Sequence, residues 1–441
     1  MAQSPPVGYA RRLGLFSGTM SVVGGIIGAG IFLNPAIVAQ RTGSAGLTMA
    51  AGGVGGVVAL LGALIYGELG RREPRAGGGY VYLRQAFGPL PAFLSGWALL
   101  LAVATGAIAA VAVTFANYLV ALMGWGTGMA LPLAAAAVVL LTLVNIIGVA
   151  PGAYTQNVFT VLKLAAIAVL AWVAISPAET PVVAAAPTLP VPGSVFGALA
   201  VALVPILFSY GGWQQTNYIA EEIRDPERTL PRALILGVVI VVTVYLLVNL
   251  AYLRTLGVEG LAASTAPAAD TMGAWFGDRG RRLISAGIVI STFGFLDLVI
   301  LVSPRVYQAM AADGLFPEAI ARLHPWTRTP VNALILQGAW ALTLLFMGTY
   351  GELLDWVVFA DWITFGAVAL TLVRYRRSAE PGDQGFQDPL YPWSVVLFVA
   401  AALYVVAGSV TSNPGNALKG TLMIAAGIPV YLFWRRRSGH A

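Results

Sequence analysis

Residues 13–39 read LGLFSGTMSVVGGIIGAGIFLNPAIVA. At about 1.5 Å per residue, a helix of this length exceeds the ~30 Å hydrocarbon core of a bilayer. Yet Gly24, Gly25, Gly28 and Gly30 crowd its centre, and Pro35 follows. A glycine costs a helix interior about 1 kcal/mol relative to alanine, so the spacing predicts a helix that unwinds at mid-depth. Irregular backbone at that depth is tolerated only where it is buried in protein or lines a cavity. A second interruption is expected at Ser209-Tyr210-Gly211-Gly212, behind Pro205, in the apolar segment 194–222. Broken helices at corresponding places in two halves of a chain point to the binding site of a transporter.

The rest of the chain has the same character. Of 441 residues, 58% are hydrophobic and only 10% charged, with a mean hydropathy of +0.80. Soluble domains carry roughly one quarter charged residues. Twelve apolar runs of spanning length can be read between residues 13 and 434, joined by short connections with no room for a soluble module. The breaks fall in the first and sixth runs. Five spans per repeat would invert the second repeat relative to the first and leave two helices over. The expected division is a cytoplasmic tail 1–12, a first repeat 13–178, a second repeat 179–373, two further helices within 374–434, and a cytoplasmic tail 435–441. The fold class is thus an all-α membrane protein.

Arginine and lysine set the orientation. With the N-terminus inside, eighteen of the 25 Lys and Arg residues fall in inner loops and tails and six in outer ones; the remaining one, Lys163, lies within a span. Both termini are therefore expected in the cytoplasm. The net charge of +6 reflects this topology and not nucleic-acid binding. Arg11-Arg12 before an apolar run resembles a twin-arginine signal, but the run is too long for one and no cleavage site follows. The absence of cysteine excludes disulfides, any disulfide-linked subunit and cysteine metal sites; two histidines, His324 and His440, leave no histidine metal site. No cofactor is implied. Paired catalytic carboxylates, a nucleophile with its base and a P-loop are all missing, which argues against an enzyme and against an ATP-driven pump. Arginine far outnumbers lysine, as fits a bacterial protein of the inner membrane.

Gly28-Ala29-Gly30 opens backbone amides at the start of the outer half-helix. Such a terminus carries about half a positive charge and attracts a carboxylate, while the carbonyls of the opposite stumps suit an ammonium group. Close helix packing is the competing reading of small residues in membranes; it is preferred for Gly52–Gly56, and the substrate reading for Gly28–Gly30. Loops 71–90, 222–232 and 311–330 are charged and lie on the inner side, where a gate could form. The stretch 179–193 reads as a Pro-rich spacer. Glu68, Glu221 and Glu222 sit near inner span ends and suit gates or caps. Asp355 and Asp361 take no role in this reading.

GAGIF (28–32) with Pro35, and FSYGGWQQTNYIAEEIRDPERTLPRAL (208–234), resemble the amino acid–polyamine–organocation superfamily, and within it the L-type amino acid transporter family. Tyr66-Gly67-Glu68-Leu69, Gly77-Gly78-Gly79-Tyr80, Arg305, Met310–Pro317 and Thr329-Pro330 extend the resemblance over nearly the whole chain. It implies a LeuT-type 5+5 inverted repeat and sodium-independent amino acid exchange. It also implies that Ala29, Gly30 and Ile31 hold the substrate carboxylate and that carbonyls of Ile26, Phe208 and Gly211 face its ammonium. Phe208 would shield the substrate from outside, and Gln214 would supply a polar position. The substrate-binding set is then Ile26, Gly28, Ala29, Gly30, Ile31, Phe208, Ser209, Tyr210, Gly211 and Gln214.

Lys163 is the one Lys or Arg deep in a span. An ionisable residue there is a functional candidate by default, although a lysine can also snorkel to the interface. The resemblance gives it the place of a sodium ion in sodium-coupled relatives. Asp297 in the eighth span departs from the family pattern. It could pair with Lys163 or face a water-filled crevice. The resulting expectation is a sodium-independent exchanger of neutral L-amino acids, working in the lipid bilayer by alternating access. Proton-coupled uptake, uptake of cationic amino acids or polyamines, and a non-transporting sensor on the same fold are the alternatives.

Overall fold

The first long apolar segment breaks where its glycines predict. Helix α1 (Leu15–Ile26) stops, Ile27, Gly28 and Ala29 intervene, and α2 (Gly30–Thr42) resumes at 41° to it. The computed structural model describes residue 9 and residues 11–177, 194–347, 350–378, 385–412 and 414–437, without the side chains of 149–153 and 350–356. The spacer 179–193, the side chain of Asp355 and most of both tails thus lie outside the described residues.

The chain continues through α3 (Ala45–Arg72), α4 (Gly79–Phe87), α5 (Pro89–Ala98), one π-helical turn (Leu99–Val103), α6 (Ala104–Met123), α7 (Ala130–Ile147) and α8 (Val149–Ile175). The next segment is α9 (Val195–Ser209), the second break, and the short α10 (Gln215–Tyr218). Then come α11 (Pro226–Ala263), α12 (Pro267–Val302), α13 (Pro304–Ala312), α14 (Glu318–Ala321), α15 (Val331–Met347), α16 (Tyr350–Arg377), α17 (Trp393–Ser412), α18 (Pro414–Ala425) and α19 (Gly427–Arg437). Among the described residues nine helices are long and apolar enough to cross a membrane, and the bent α1–α2 pair makes a tenth. Two shorter apolar helices, α9 and α15, lie where the sixth and ninth spans are expected.

The two breaks cross at the centre. A Cβ on Gly212 would stand 2.0 Å from the Gly25 carbonyl oxygen, and one on Gly25 would stand 2.7 Å from the Gly212 oxygen. Only bare backbone fits there, and Gly212 also has φ +108°, a region that favours glycine. Around this crossing α1 packs on α8 and α11, α2 on α9 and α11, and α12 on α6 and α8. Gly55 and Gly56 of α3 abut Ile206 and Val242, as the packing reading of that stripe expects. Large apolar side chains such as Phe196, Leu143 and Val57 face outward, as a lipid environment requires.

The face that carries the N-terminus is tied shut. The amides of Arg12 and Leu13 donate to the Glu222 carbonyl, and the Arg224 amide donates back to Leu13. Glu222 and Arg305, both buried, form an ion pair at 3.0 Å. Tyr80 donates to Asp313 at 2.8 Å, Arg84 pairs with Asp313 at 3.0 Å, and the Ala76 amide donates to Glu221. Loop 71–90 thus meets loop 311–330 directly and also reaches Glu221, beside loop 222–232. Burial and the Asp313 carboxylate push the Tyr80 phenol up from its ordinary value, so it remains a donor. Glu68 clips α3 to α16, accepting from Arg72 and Arg376 and from the Asp388 amide.

Candidate functional site

At the crossing of the breaks lies a cavity. One wall is the first break, at Gly25, Ile26, Gly28, Ala29 and Gly30; the opposite wall is the second, at Phe208, Ser209, Gly211, Gly212 and Gln214. The π turn supplies Leu99 and Val103, α12 supplies Phe295 and Val299, and α16 supplies Asp361, Trp362 and Phe365. A π turn inside an α-helix shifts the side chains that follow it and often marks a functional site.

The backbone supplies most of the polar chemistry. Among the described residues no carbonyl accepts from the amides of Ala29, Gly30 or Ile31. These are the orphan donors of a helix N-terminus, and the first two open on the cavity. The carbonyl side differs from expectation. The Ile26 oxygen already accepts from the Gly28 amide at 2.9 Å and from the Tyr245 hydroxyl at 3.1 Å, which uses both lone pairs. The Phe208 oxygen accepts one bond, from the Gly211 amide at 3.2 Å, so Phe208 and Gly211 keep acceptor capacity. Gln214 accepts from the Gly212 amide at 3.0 Å and thereby holds the second break open.

Eight of the ten expected substrate-binding residues line the cavity; Ile31 and Tyr210 do not. Each follows a lining residue, and one step along a helix turns a side chain by about 100°. Both face a separate space beside Asn34 and Tyr245, where Tyr252 donates to the Ile31 carbonyl at 3.3 Å. Gly30 also meets the second break. A Cβ there would stand 2.7 Å from the Ser209 hydroxyl and 2.9 Å from the Ser209 Cα. Its missing side chain serves the contact between the breaks, which Asn34 reinforces by donating to Ser209 at 2.8 Å and to the Pro205 carbonyl at 2.9 Å.

Lys163 is fully buried. Its ammonium donates to the Ile27 carbonyl at 2.8 Å and to the Gly24 carbonyl at 3.3 Å, the oxygens that the end of α1 leaves exposed. Ser291 of α12 donates to the same Ile27 oxygen at 3.4 Å. Lys163 thus braces α8 against the first break. The pairing of Lys163 with Asp297 does not form. Asp297, also buried, accepts instead from Asn145 of α7 at 2.8 Å, and neither residue lines the cavity.

Sequence reasoning missed Asp361, Phe295, Tyr218, Gln215 and the π turn. Asp361 had a signal of its own, as an ionisable residue within a span. The aromatic and aliphatic lining residues had none.

A bundle of apolar helices with two broken ones crossing over a central cavity defines a membrane transporter. The chain belongs to the amino acid permease family, whose sequence profile matches residues 13–434. It is 30% identical to the serine/threonine exchanger SteT of Bacillus subtilis, with 98% of each chain covered. It is 31% identical to the b(0,+)-type amino acid transporter 1 of Mus musculus, covering 96% of this chain and 88% of the relative. It is 29% identical to the human cystine/glutamate transporter, covering 97% and 86% respectively. The chain is an amino acid transporter and not an enzyme, and the resemblance read from its motifs holds.

Proposed function

We propose that this chain exchanges small and medium neutral L-amino acids across the cytoplasmic membrane, without sodium and by alternating access. The frame is a LeuT-type arrangement of twelve spans, repeated as helices one to five and six to ten. Both termini are cytoplasmic, and no disulfide-linked subunit takes part. The observation that carries the reading is the crossing of the two breaks, with the free amides of Ala29 and Gly30 on one cavity wall and the Phe208 and Gly211 carbonyls on the other. The positive end of α2 receives the substrate carboxylate. The carbonyls receive the ammonium, so the two ends of any amino acid are recognised without a charged side chain.

Lys163 supports sodium independence. Its ammonium sits on the Gly24 and Ile27 carbonyls, oxygens of the kind that would otherwise coordinate a cation. The closed loops of the N-terminal face fit a cycle in which that face opens next.

Counterflow in liposomes tests the reading. Label is expected to accumulate only when unlabelled substrate is inside, and equally in sodium and choline media. Equilibration with empty liposomes would make the protein a uniporter, a sodium requirement would remove the role given to Lys163, and no uptake at all would favour a sensor. Competition among the twenty amino acids then defines the substrates.

A further inference from the structure

The cavity contains a charged side chain that recognition of the substrate's two ends leaves unused. Asp361 of α16 lines the main cavity and also a smaller space bounded by Tyr66, Gly79, Tyr80 and Thr364. Leu99, Val103, Tyr218 and Phe365 are common to both spaces, whereas the residues of the first break line only the main one. Tyr80 belongs to the closure of the N-terminal face. Asp361 therefore stands where the main cavity adjoins the space that reaches that closure.

Its surroundings leave it without a protein partner. Among the described residues no hydrogen bond or ion pair reaches its carboxylate, and no Lys or Arg lines either space. Asp361 is half-buried, and the fully buried acidic and basic side chains elsewhere are each answered, Arg71 by the Phe386 carbonyl and Asp388 by the Leu390 amide among them. Glu68 has Arg72 and Arg376, Glu222 has Arg305, Lys163 has two carbonyls and Asp297 has Asn145. A carboxylate held in an apolar membrane cavity is costly unless something neutralises it. Trp362 and Phe365, one and four positions further along α16, also line the cavity, and aromatic faces attract cations.

We propose that Asp361 is a specificity-determining residue that admits amino acids with a positively charged side chain, such as lysine, ornithine or arginine. The proposal rests on the amino acid exchange reading above. The α-carboxylate and α-ammonium occupy the breaks, as for a neutral substrate. The side-chain cation reaches this junction and neutralises Asp361, with the aromatic rings beside it. A lysine exchanged for a leucine then moves one net charge, so that exchange responds to membrane potential.

The full chain in liposomes loaded with leucine, offered labelled lysine or labelled leucine, tests this. Lysine is expected to enter, and faster under an inside-negative potential, whereas leucine–leucine exchange does not respond to potential. Asp361→Asn should lower the lysine-to-leucine ratio about tenfold or more, as loss of a close desolvated charge partner does, while Asp361→Glu should largely preserve it. The monodispersity of each variant in detergent guards against misfolding. Leucine exchange without lysine entry overturns the proposal and leaves the exchange reading standing, as does a ratio unchanged in Asp361→Asn. Leucine uptake driven by a proton gradient, with lysine excluded and Asp361→Asn inactive, makes Asp361 a proton carrier and also overturns it. Failure of the unmutated chain to exchange either substrate overturns both readings.

Discussion

Replacing Lys163 by methionine separates the work this residue does for stability from the work it does for transport. Methionine keeps much of the side-chain volume and removes the ammonium. Two hydrogen bonds are lost, to Ile27 at 2.8 Å and to Gly24 at 3.3 Å. Bonds to a charged group contribute about 1.5–3 kcal/mol each, and the longer one belongs at the low end, so the gross loss is about 3–5 kcal/mol. Removing the ammonium also removes its desolvation cost, which is several kcal/mol for a buried ion. These terms oppose each other and are similar in size, so the thermal midpoint should move little. The local geometry receives no such relief. Ile27 keeps the Ser291 hydroxyl, so the Gly24 carbonyl is the acceptor left unsatisfied, at about 1–3 kcal/mol, and it lies at the end of α1, where position decides the geometry of the site. A shift of about 1.4–2.8 kcal/mol against the competent arrangement lowers exchange roughly 10- to 100-fold. The assay is exchange in liposomes, in sodium and in choline, beside thermal unfolding of the same preparations. Exchange by Lys163→Met within about twofold of the unmutated chain would refute the bracing argument.

Further expectations follow from the same geometry. Gly212→Ala should abolish exchange or folding, because its Cβ would lie 2.0 Å from the Gly25 carbonyl; normal transport in that variant would mean the breaks do not cross as described. Lys163→Met and Asp297→Asn should add within about 0.5 kcal/mol in a double-mutant cycle of thermal stability, since Asp297 is held by Asn145 and not by Lys163; strong coupling would restore the pair. The chain contains no cysteine, so Thr364→Cys provides a single reporter in the narrow space below the cavity. Adding Asp313→Asn, which removes the ion pair with Arg84 and weakens the Tyr80 bond, should raise its labelling by an impermeant maleimide from the N-terminal face about threefold or more. Unchanged labelling would mean those loops do not close the path. Amino acid amides and decarboxylated amines should compete poorly, as they lack the carboxylate for the Ala29 and Gly30 amides; strong competition by putrescine would favour a polyamine substrate.

What could be read from the chain alone was whatever depends on local chemistry. Glycine and proline interrupt a helix wherever it lies, so both breaks, at Gly28–Gly30 and at Tyr210–Gly212, were legible before any packing was known. The isolation of Lys163 in an apolar run was equally local, and its role on the first break followed once the family resemblance placed it. The phase of each helix against its neighbours was not legible. Gly30 and Ile31 are adjacent in sequence, yet one touches the cavity and the other turns away toward Tyr252, and only the packing of α2 on α9 and α11 decides which. Partners distant in sequence were hidden for the same reason. Asp297 takes Asn145, 152 residues away, although Lys163 carries the opposite charge. Complementary charge names a candidate, whereas the register of α7, α8 and α12 settles which group arrives within hydrogen-bonding distance. Asp361 carried no motif; its lone carboxylate acquires meaning only because α16 sets it on the cavity wall. Local sequence determines where the backbone breaks, and tertiary packing decides which atoms the breaks confront, because an ångström or two of helix rotation separates a lining residue from a buried one.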